Sequence, residues 1–228
     1  MKALSLITTP LFLTLALMGM AQDAHAEAGD IALGARISTL GVGPEITIGA
    51  SDSLNIRAAG HWGTYDTEGK SEDVDYDCDL NLLSGLVTAE WFPFSGRTFH
   101  FVAGALLNGN NIDASGEITP GLSYEIGGTL YTSSEIGSLK GDIDYNTFAP
   151  YLGIGWGNPV HQDSNWTFFI DLGVAYQGAA DVSLKATGDL ANDATFQSRL
   201  QQEEKDLEDD LDSYKYYPVV ALGLTYKF

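Results

Sequence analysis

Apolar and polar residues alternate with a period of two through most of the chain, the period of a strand with two unlike faces. In "YPVVALGLTYKF", residues 217–228, one face carries Val220, Leu222, Leu224, Tyr226 and Phe228, and the other carries Val219, Ala221, Gly223, Thr225 and Lys227. "WTFFIDLGVAY" sets Trp166, Phe168, Ile170, Leu172, Val174 and Tyr176 against Phe169, Asp171, Gly173 and Ala175. "APYLGIGWG", "TFHFVAGALLN" and "LNIRAAGHWG" repeat the pattern, each with an apolar face rich in aromatics and an opposite face of mostly small or polar residues. Glycine and alanine suit a wet surface poorly and the crowded interior of a narrow barrel well. Lipid requires an outward apolar band between aromatic girdles, and closure leaves no strand edge unpaired within it. The pattern predicts an all-β fold, a closed antiparallel transmembrane β-barrel.

The connections set the strand count. Short links near 50–52, 93–97 and 159–164 alternate with long ones near 65–77, 109–144 and 178–214, as periplasmic turns and outer loops do. Both termini are then periplasmic and the count is even. A hairpin over Ile31 to Gly49, turning near Leu40-Gly41, gives eight strands; "YEIGGTLY" (124–131) would raise the number to ten if it joined the wall.

Residues 1–26 read as a secretory signal peptide: Lys2, an apolar run from Ala3 to Ala21, and the A-x-A site Ala24-His25-Ala26. Residues 27–228 are then a single barrel domain. They contain no apolar run of eighteen or more, so no membrane-spanning helix is expected. The lone Cys78 gives no disulfide framework; it reads as a small apolar side chain, with a thiol pairing between molecules as the alternative. Gly153, Gly155 and Gly157 lack the spacing of a dinucleotide fingerprint.

Charge narrows the partners. The formal net charge of −20 excludes nucleic acid, whose phosphates would repel the chain. The three long connections carry −5, −5 and −7, so they hold most of it. "DVDYDCDLNLL" places Asp73, Asp75, Asp77 and Asp79 two residues apart. A calcium loop would need glycine at the sixth position and glutamate at the twelfth, where Cys78 and Ser84 stand. A strand with one acidic face remains. It is expected to form the upper end of the strand descending to Phe92, with the aspartates toward the barrel axis, Val74, Tyr76 and Cys78 outward, and a bulge near Leu83–Gly85. Such an acidic mouth enriches cations: small basic solutes, or divalent ions that bridge to lipopolysaccharide phosphates. Phe196, Leu200, Leu207, Leu211 and Tyr214 recur at helical spacing and predict a short amphipathic helix over the mouth, packed locally.

Inward charges are the other candidate feature. The alternation points Arg36, Glu45, Arg57, Glu90, His100, Asp171 and Lys227 into the lumen, where they must be paired or wetted. The two turns flanking Glu45 set it opposite both Arg36 and Arg57, and the 93–97 turn sets Glu90 opposite His100. Eight strands leave room for side chains and little else. A filled lumen implies a structural or surface-interaction protein; a wetted one implies a narrow channel for small cationic or basic amino-acid-like solutes. A lipid A-modifying barrel enzyme is a third reading. The chain has no G-x-S-x-G or H-E-x-x-H, and no nucleophile is evident at the height of His61, His100 or His161. No cofactor or metal is expected. The expected partners are outer-membrane lipid, lipopolysaccharide and the barrel-assembly machinery, for which the terminal aromatics Tyr226 and Phe228 resemble an assembly signal.

"AEWFPFSGRTFHFVAGALLNGN", "FAPYLGIGWGN" and "LEDDLDSYKYYPVVALGLTYKF", in this order and spacing, resemble landmarks of the CarO-like outer-membrane barrels of Gram-negative bacteria, over essentially the whole mature chain. The resemblance implies an eight-stranded barrel and, for some relatives, uptake of small basic amino acids.

Overall fold

The computed structural model describes residues 29–70, 74–94, 98–118, 121–160 and 164–228; the leader reading of residues 1–26, together with Asp73 and His161, lies outside them. In chain order the elements are β1 (Ile31–Ser38), β2 (Gly41–Ser51), β3 (Leu54–Lys70), β4 (Val74–Trp91), β5 (Phe99–Asn108), β6 (Asn111–Ile118), β7 (Ser123–Ile126) and β8 (Thr129–Thr132). There follow α1 (Ser133–Ile136), β9 (Ser138–Asp144), β10 (Phe148–Trp156), β11 (Trp166–Tyr176), β12 (Asp181–Ala186), α2 (Ala194–Asp210), a 3-10 turn (Leu211–Lys215) and β13 (Tyr216–Lys227).

Eight of these strands form an antiparallel ring: β1, β2, β3, β4, β5, β10, β11 and β13, with β13 returning to β1. The segment 124–131 lies outside that wall, as the separate β7–β8 hairpin. Following the rungs from Arg57 through Thr88, Gly104, Tyr151 and Ala175 arrives at Tyr217. Going the other way through Thr47 and Ala32 arrives at Lys227. The two ends are ten residues apart on β13, the stagger that tilts the strands, and a ring of eight is just wide enough for side chains to fill.

The outer face is apolar. Ile37, Val87, Leu107, Leu152, Phe168 and Leu222 are exposed on it. Aromatics cluster near the end that holds the termini: Trp91 stacks on Phe101, Phe99 meets Phe101 and Trp156, and Trp166 meets Tyr226, which meets Phe228. Tyr176 and Tyr216 pair at the opposite end. This is the belt and double girdle that lipid selects.

The lower end, with the termini, holds the short turns. The upper end is built differently from the loops expected there. Above the wall β3 and β4 continue as one hairpin, and β6, β9 and β12 add to the edge of β4 in that order, so a five-stranded sheet rises from one side of the barrel. Rungs between β3 and β4 run in a single register from Leu54–Trp91 to Lys70–Asp75, with no bulge near Leu83–Gly85. That removes the expected change of face, because only a one-residue slip could exchange inside for outside. Leu83, Val87 and Trp91 are exposed on the outer face, and the same parity carries Asp77 and Asp79 outward, both exposed. Cys78 and Leu80 fall on the inner face. Asp77 and Asp79 therefore do not face the barrel axis.

The inner face of the upper sheet is covered. Ile126, Tyr131, Ile136, Phe196 and Leu200 form a buried cluster onto which Leu139, Leu184 and Ala186 pack. Helix α2 is the expected amphipathic helix, capped by Asp193, whose carboxylate accepts from the backbone N–H groups of Thr195 and Phe196.

Candidate functional site: the lumen charges and the acidic sheet

All seven inward charges, Arg36, Glu45, Arg57, Glu90, His100, Asp171 and Lys227, are buried, none more than 4% exposed. Six of them meet. Arg57 reaches Asp171 Oδ2 at 2.7 Å with Nη1 and Glu90 Oε1 at 2.8 Å with Nη2. The second approach is close but poorly aligned for a hydrogen bond. Arg36 Nη2 lies 3.4 Å from Asp171 Oδ2, and His100 Nε2 lies 3.3 Å from Asp171 Oδ1. Lys227 is buried lower down, where its Nζ donates to the Val160 carbonyl at 3.4 Å.

Two expected pairings are corrected. Glu45 does not stand opposite either arginine: its partners are Gly34 on β1 and Ala59 on β3, two residues from those predicted on each side. The β1–β2 turn is Thr39-Leu40, one position early, and the β2–β3 ladder shifts between Gly49 and Ser51. A two-residue error keeps a side chain on its face, so Glu45 still meets Arg36 and Arg57 diagonally, at 3.6 and 3.7 Å. Among the described residues neither oxygen has a hydrogen bond. Arg57 is the centre of the group instead. Glu90 stands opposite Val102, not His100, because the β4–β5 register is also displaced by two. His100 sits opposite Gly155, which in turn sits opposite Asp171.

Glycine makes that last contact. A Cβ on Gly155 would overlap both Asp171 Oδ1 and His100 Nε2, so the imidazole and the carboxylate meet across a residue without a side chain. Gly223 does the same for Phe169, whose ring lies under Arg57 (4.3 Å from Cζ to the ring centre) and Arg36 (5.5 Å). Phe169 was legible only as an aromatic on the small-residue face of β11, opposite a glycine. Asn55 was likewise missed; its amide donates to Asn158 at 3.3 Å and to Glu90 at 3.5 Å.

Above the charges the lumen is apolar: Leu40, Leu86, Val102, Leu106, Tyr151 and Val219 pack together. Leu40, at the tip of the β1–β2 turn, is fully buried there. His61 is opposite Ser84, contrary to the expectation of no nucleophile at its height, with Nδ1 and Oγ 3.4 Å apart. Both are buried, and among the described residues no carboxylate contacts His61 to serve as the third member of a hydrolytic triad.

On the upper sheet Asp66, Asp79, Asp113 and Asp142 are successive partners on β3, β4, β6 and β9. Four carboxylates thus share one row of the outer face. The Asn81 and Asn111 amides both donate to Asp113 Oδ2, at 2.9 and 3.1 Å. A hydrogen bond with Asp113 holds the Asp142 carboxyl above the usual carboxylate range. Among the described residues no three carboxylates converge as a metal-ligand set. The acids of α2 are not all solvated: Glu203 accepts from Gly127 N–H (2.9 Å), Glu204 from Leu184 N–H (2.7 Å) and Glu208 from Val182 N–H (3.2 Å). The last two close the outer edge of β12. Tyr226 and Phe228 lie in the lower girdle, where Phe228 N–H donates to the Ile31 carbonyl at 3.2 Å.

No family model matches the chain, and no curated protein matches it. Among solved structures it is similar to CarO2 of Acinetobacter baumannii, at 23% identity and a TM-score of 0.60, over 89% of this chain and all of that one. It is also similar to CarO of the same organism, at 22% identity and a TM-score of 0.56, over 86% and 97% of the two chains. The chain has the CarO-like outer-membrane β-barrel fold.

Proposed function

We propose that this barrel is a structural and surface-interaction protein of the outer membrane whose lumen does not pass solutes. One observation carries the reading: Arg57 reaches across the interior to Asp171 at 2.7 Å and lies 2.8 Å from Glu90 on the neighbouring strand, beneath an apolar layer sealed by Leu40. A hydrated solute would have to separate a buried ion pair to pass, which typically costs about 3–5 kcal/mol for a single broken pair. Planar-bilayer conductance and liposome swelling on purified protein test it. The expected result is no step above the protein-free membrane. A cation-selective current, or swelling in small basic amino acids, would favour the channel reading instead.

The partner we assign to the upper sheet is lipopolysaccharide, held through divalent cations. The sheet continues the barrel wall past the upper girdle, so its outer face looks sideways over the headgroups. The row Asp66, Asp79, Asp113 and Asp142 gives that face a strong negative field without forming a chelate. Magnesium would bridge this field to phosphate groups. In lipopolysaccharide nanodiscs, chelation should then lower the melting temperature of the wild type and leave an Asp79→Asn, Asp113→Asn variant unaffected. This orientation puts the termini and short turns in the periplasm, with Tyr226 and Phe228 as the last-strand signal to the assembly machinery. No catalytic role is assigned.

A further inference from the structure

We propose that the open edge of β3 above the barrel wall is a strand-addition site, which binds an extended segment of another protein that is basic at alternate positions. The proposal rests on the surface-interaction reading above and adds a partner at the edge of the upper sheet, where the lipopolysaccharide assignment concerns its outer face.

The ladder with β4 continues to the Lys70–Asp75 rung, whereas β2 leaves β3 at the Val42–Trp62 rung. Residues 63–70 are therefore paired on one side only, and among the described residues no strand lies on the other. Successive residues of a strand direct their N–H and C=O groups to opposite sides, so every second residue here offers both to solvent. Thr64, Tyr65, Asp66 and Thr67 are all exposed. Proteins commonly blunt such an edge by keeping it short, by a bulge or proline, by lysine along it, or by a cover. Residues 63–70 contain no proline and a lysine only at the tip, Lys70. Their register against β4 is unbroken.

The other edge of the same sheet is treated differently. On β12 the N–H groups of Leu184 and Val182 donate to Glu204 and Glu208 of α2, at 2.7 and 3.2 Å. The aspartate row is closed at that end too, because Lys185 Nζ of β12 lies 3.9 Å from Asp142. At the β3 end the row stops on Asp66, and among the described residues no basic side chain is paired with it. One edge is finished by this chain, and the other is left for a partner to finish.

The unfinished edge specifies its occupant. On the inner face, Tyr65 ends the row of Leu80 and Ile112 and is 68% exposed; on the outer face, Asp66 ends the aspartate row. A strand added here sets one residue beside each, about 4.8 Å away, with its side chains alternating between the two faces. Lysine or arginine suits the position beside Asp66, and an apolar or β-branched residue suits the position beside Tyr65. A second copy of this chain is a poor occupant. Its own edge would bring another Asp66 to an acidic row, and like charges side by side are destabilising. In this mode of recognition main-chain hydrogen bonds supply the affinity, and the alternate side chains select the partner.

The full chain in lipid nanodiscs, titrated with a fluorescent peptide of about eight alternating lysine and valine residues, tests the proposal. Saturable binding is expected, with amide exchange slowed at every second residue of 63–70. Methylating every peptide nitrogen keeps the charge and removes the donors, and should abolish binding. Asp66→Asn should weaken binding by up to about five-fold. No binding of the parent peptide would overturn the proposal. Equal binding of the methylated peptide would mean adsorption to the acidic face only, and would overturn it as well, as would binding with unchanged exchange in 63–70. Equal binding of an alternating glutamate and valine peptide would overturn the basic occupant. Protein that doubles in mass, with β3 exchange slowed in the absence of peptide, would assign the edge to a second copy and overturn it too. A barrel found to conduct solutes would leave each of these outcomes unchanged, and failure of the peptide would leave the filled lumen intact.

Discussion

His100 and Asp171, from strands that are not neighbours, meet over the bare backbone of Gly155, with Nε2 and Oδ1 3.3 Å apart. The ion group of the lumen depends on that missing side chain as much as on its charges. Gly155→Ala would push a methyl group into both partners, and overpacking of this kind costs about 1–3 kcal/mol. The expected outcome is a folded barrel that unfolds at lower temperature on heat-dependent gel mobility. A melting point equal to wild type would show that the pair relaxes freely.

Arg57 and Glu45 should differ sharply. Arg57→Met leaves Glu90, Asp171 and Glu45 facing one another with only Arg36 to compensate, and is expected to cost about 3–5 kcal/mol in urea unfolding. Glu45→Gln removes only contacts of 3.6 and 3.7 Å and should cost about 1 kcal/mol. The reverse order would return Glu45 to the centre of the group.

The reason Glu45 was misplaced is instructive. Strand faces in the barrel wall were legible from the period of two, and the seven charges assigned to the lumen, Arg36, Glu45, Arg57, Glu90, His100, Asp171 and Lys227, are buried. Registers were not legible, because the turn at Thr39-Leu40 and the shift between Gly49 and Ser51 depend on backbone geometry with no compositional mark. An even error leaves a residue on its face but changes its neighbour, which is why Glu45 and Glu90 kept their side and lost their partners. The aspartates near 77–79 failed for the opposite reason. The bulge expected near Leu83–Gly85 is absent, and that single assumed slip reverses the face of everything above it. Strands β6, β9 and β12 went unread because they pair above the bilayer, where no lipid-facing pattern marks them.

The upper sheet should be more stable in acid. Asp142 is raised above the usual aspartate range chiefly by its hydrogen bond with Asp113, with Asp144 adding repulsion and Lys185 opposing it. A carboxyl raised in the folded state contributes stability that is full below the ordinary aspartate range and lost as pH rises through its own. Amide exchange in β6 and β9, corrected for the intrinsic rate, should be slower at pH 4 than at pH 7. Asp113→Asn should flatten the difference, and a profile that instead steepens would contradict the shared hydrogen bond.

Helix α2 should protect an edge. Removing Glu204 or Glu208 by substitution to Ala frees the N–H of Leu184 or Val182, at about 1 kcal/mol each. Faster exchange is expected at those two amides, with β12 more readily cleaved near its ends and the barrel's heat resistance unchanged. Unaltered exchange would mean that water replaces the glutamates at no cost.

Shortening the chain by Phe228 removes the ring against Tyr226 and the N–H donated to Ile31. Export is expected to continue while folded protein in the outer membrane falls. Normal amounts there would remove the terminal aromatic as an assembly signal.

The unbroken register between β3 and β4 has a mechanical meaning. A single hydrogen-bonded ladder runs from the barrel wall up to the Lys70–Asp75 rung without a change of register, so the acidic sheet is a mast fixed to the hull and not a pennant on a flexible line. Its height and compass bearing are set when the barrel closes. A sideways pull on the tip is delivered as shear to the same rungs that seal the wall, and a neighbour in the leaflet always meets the acidic face at the same azimuth.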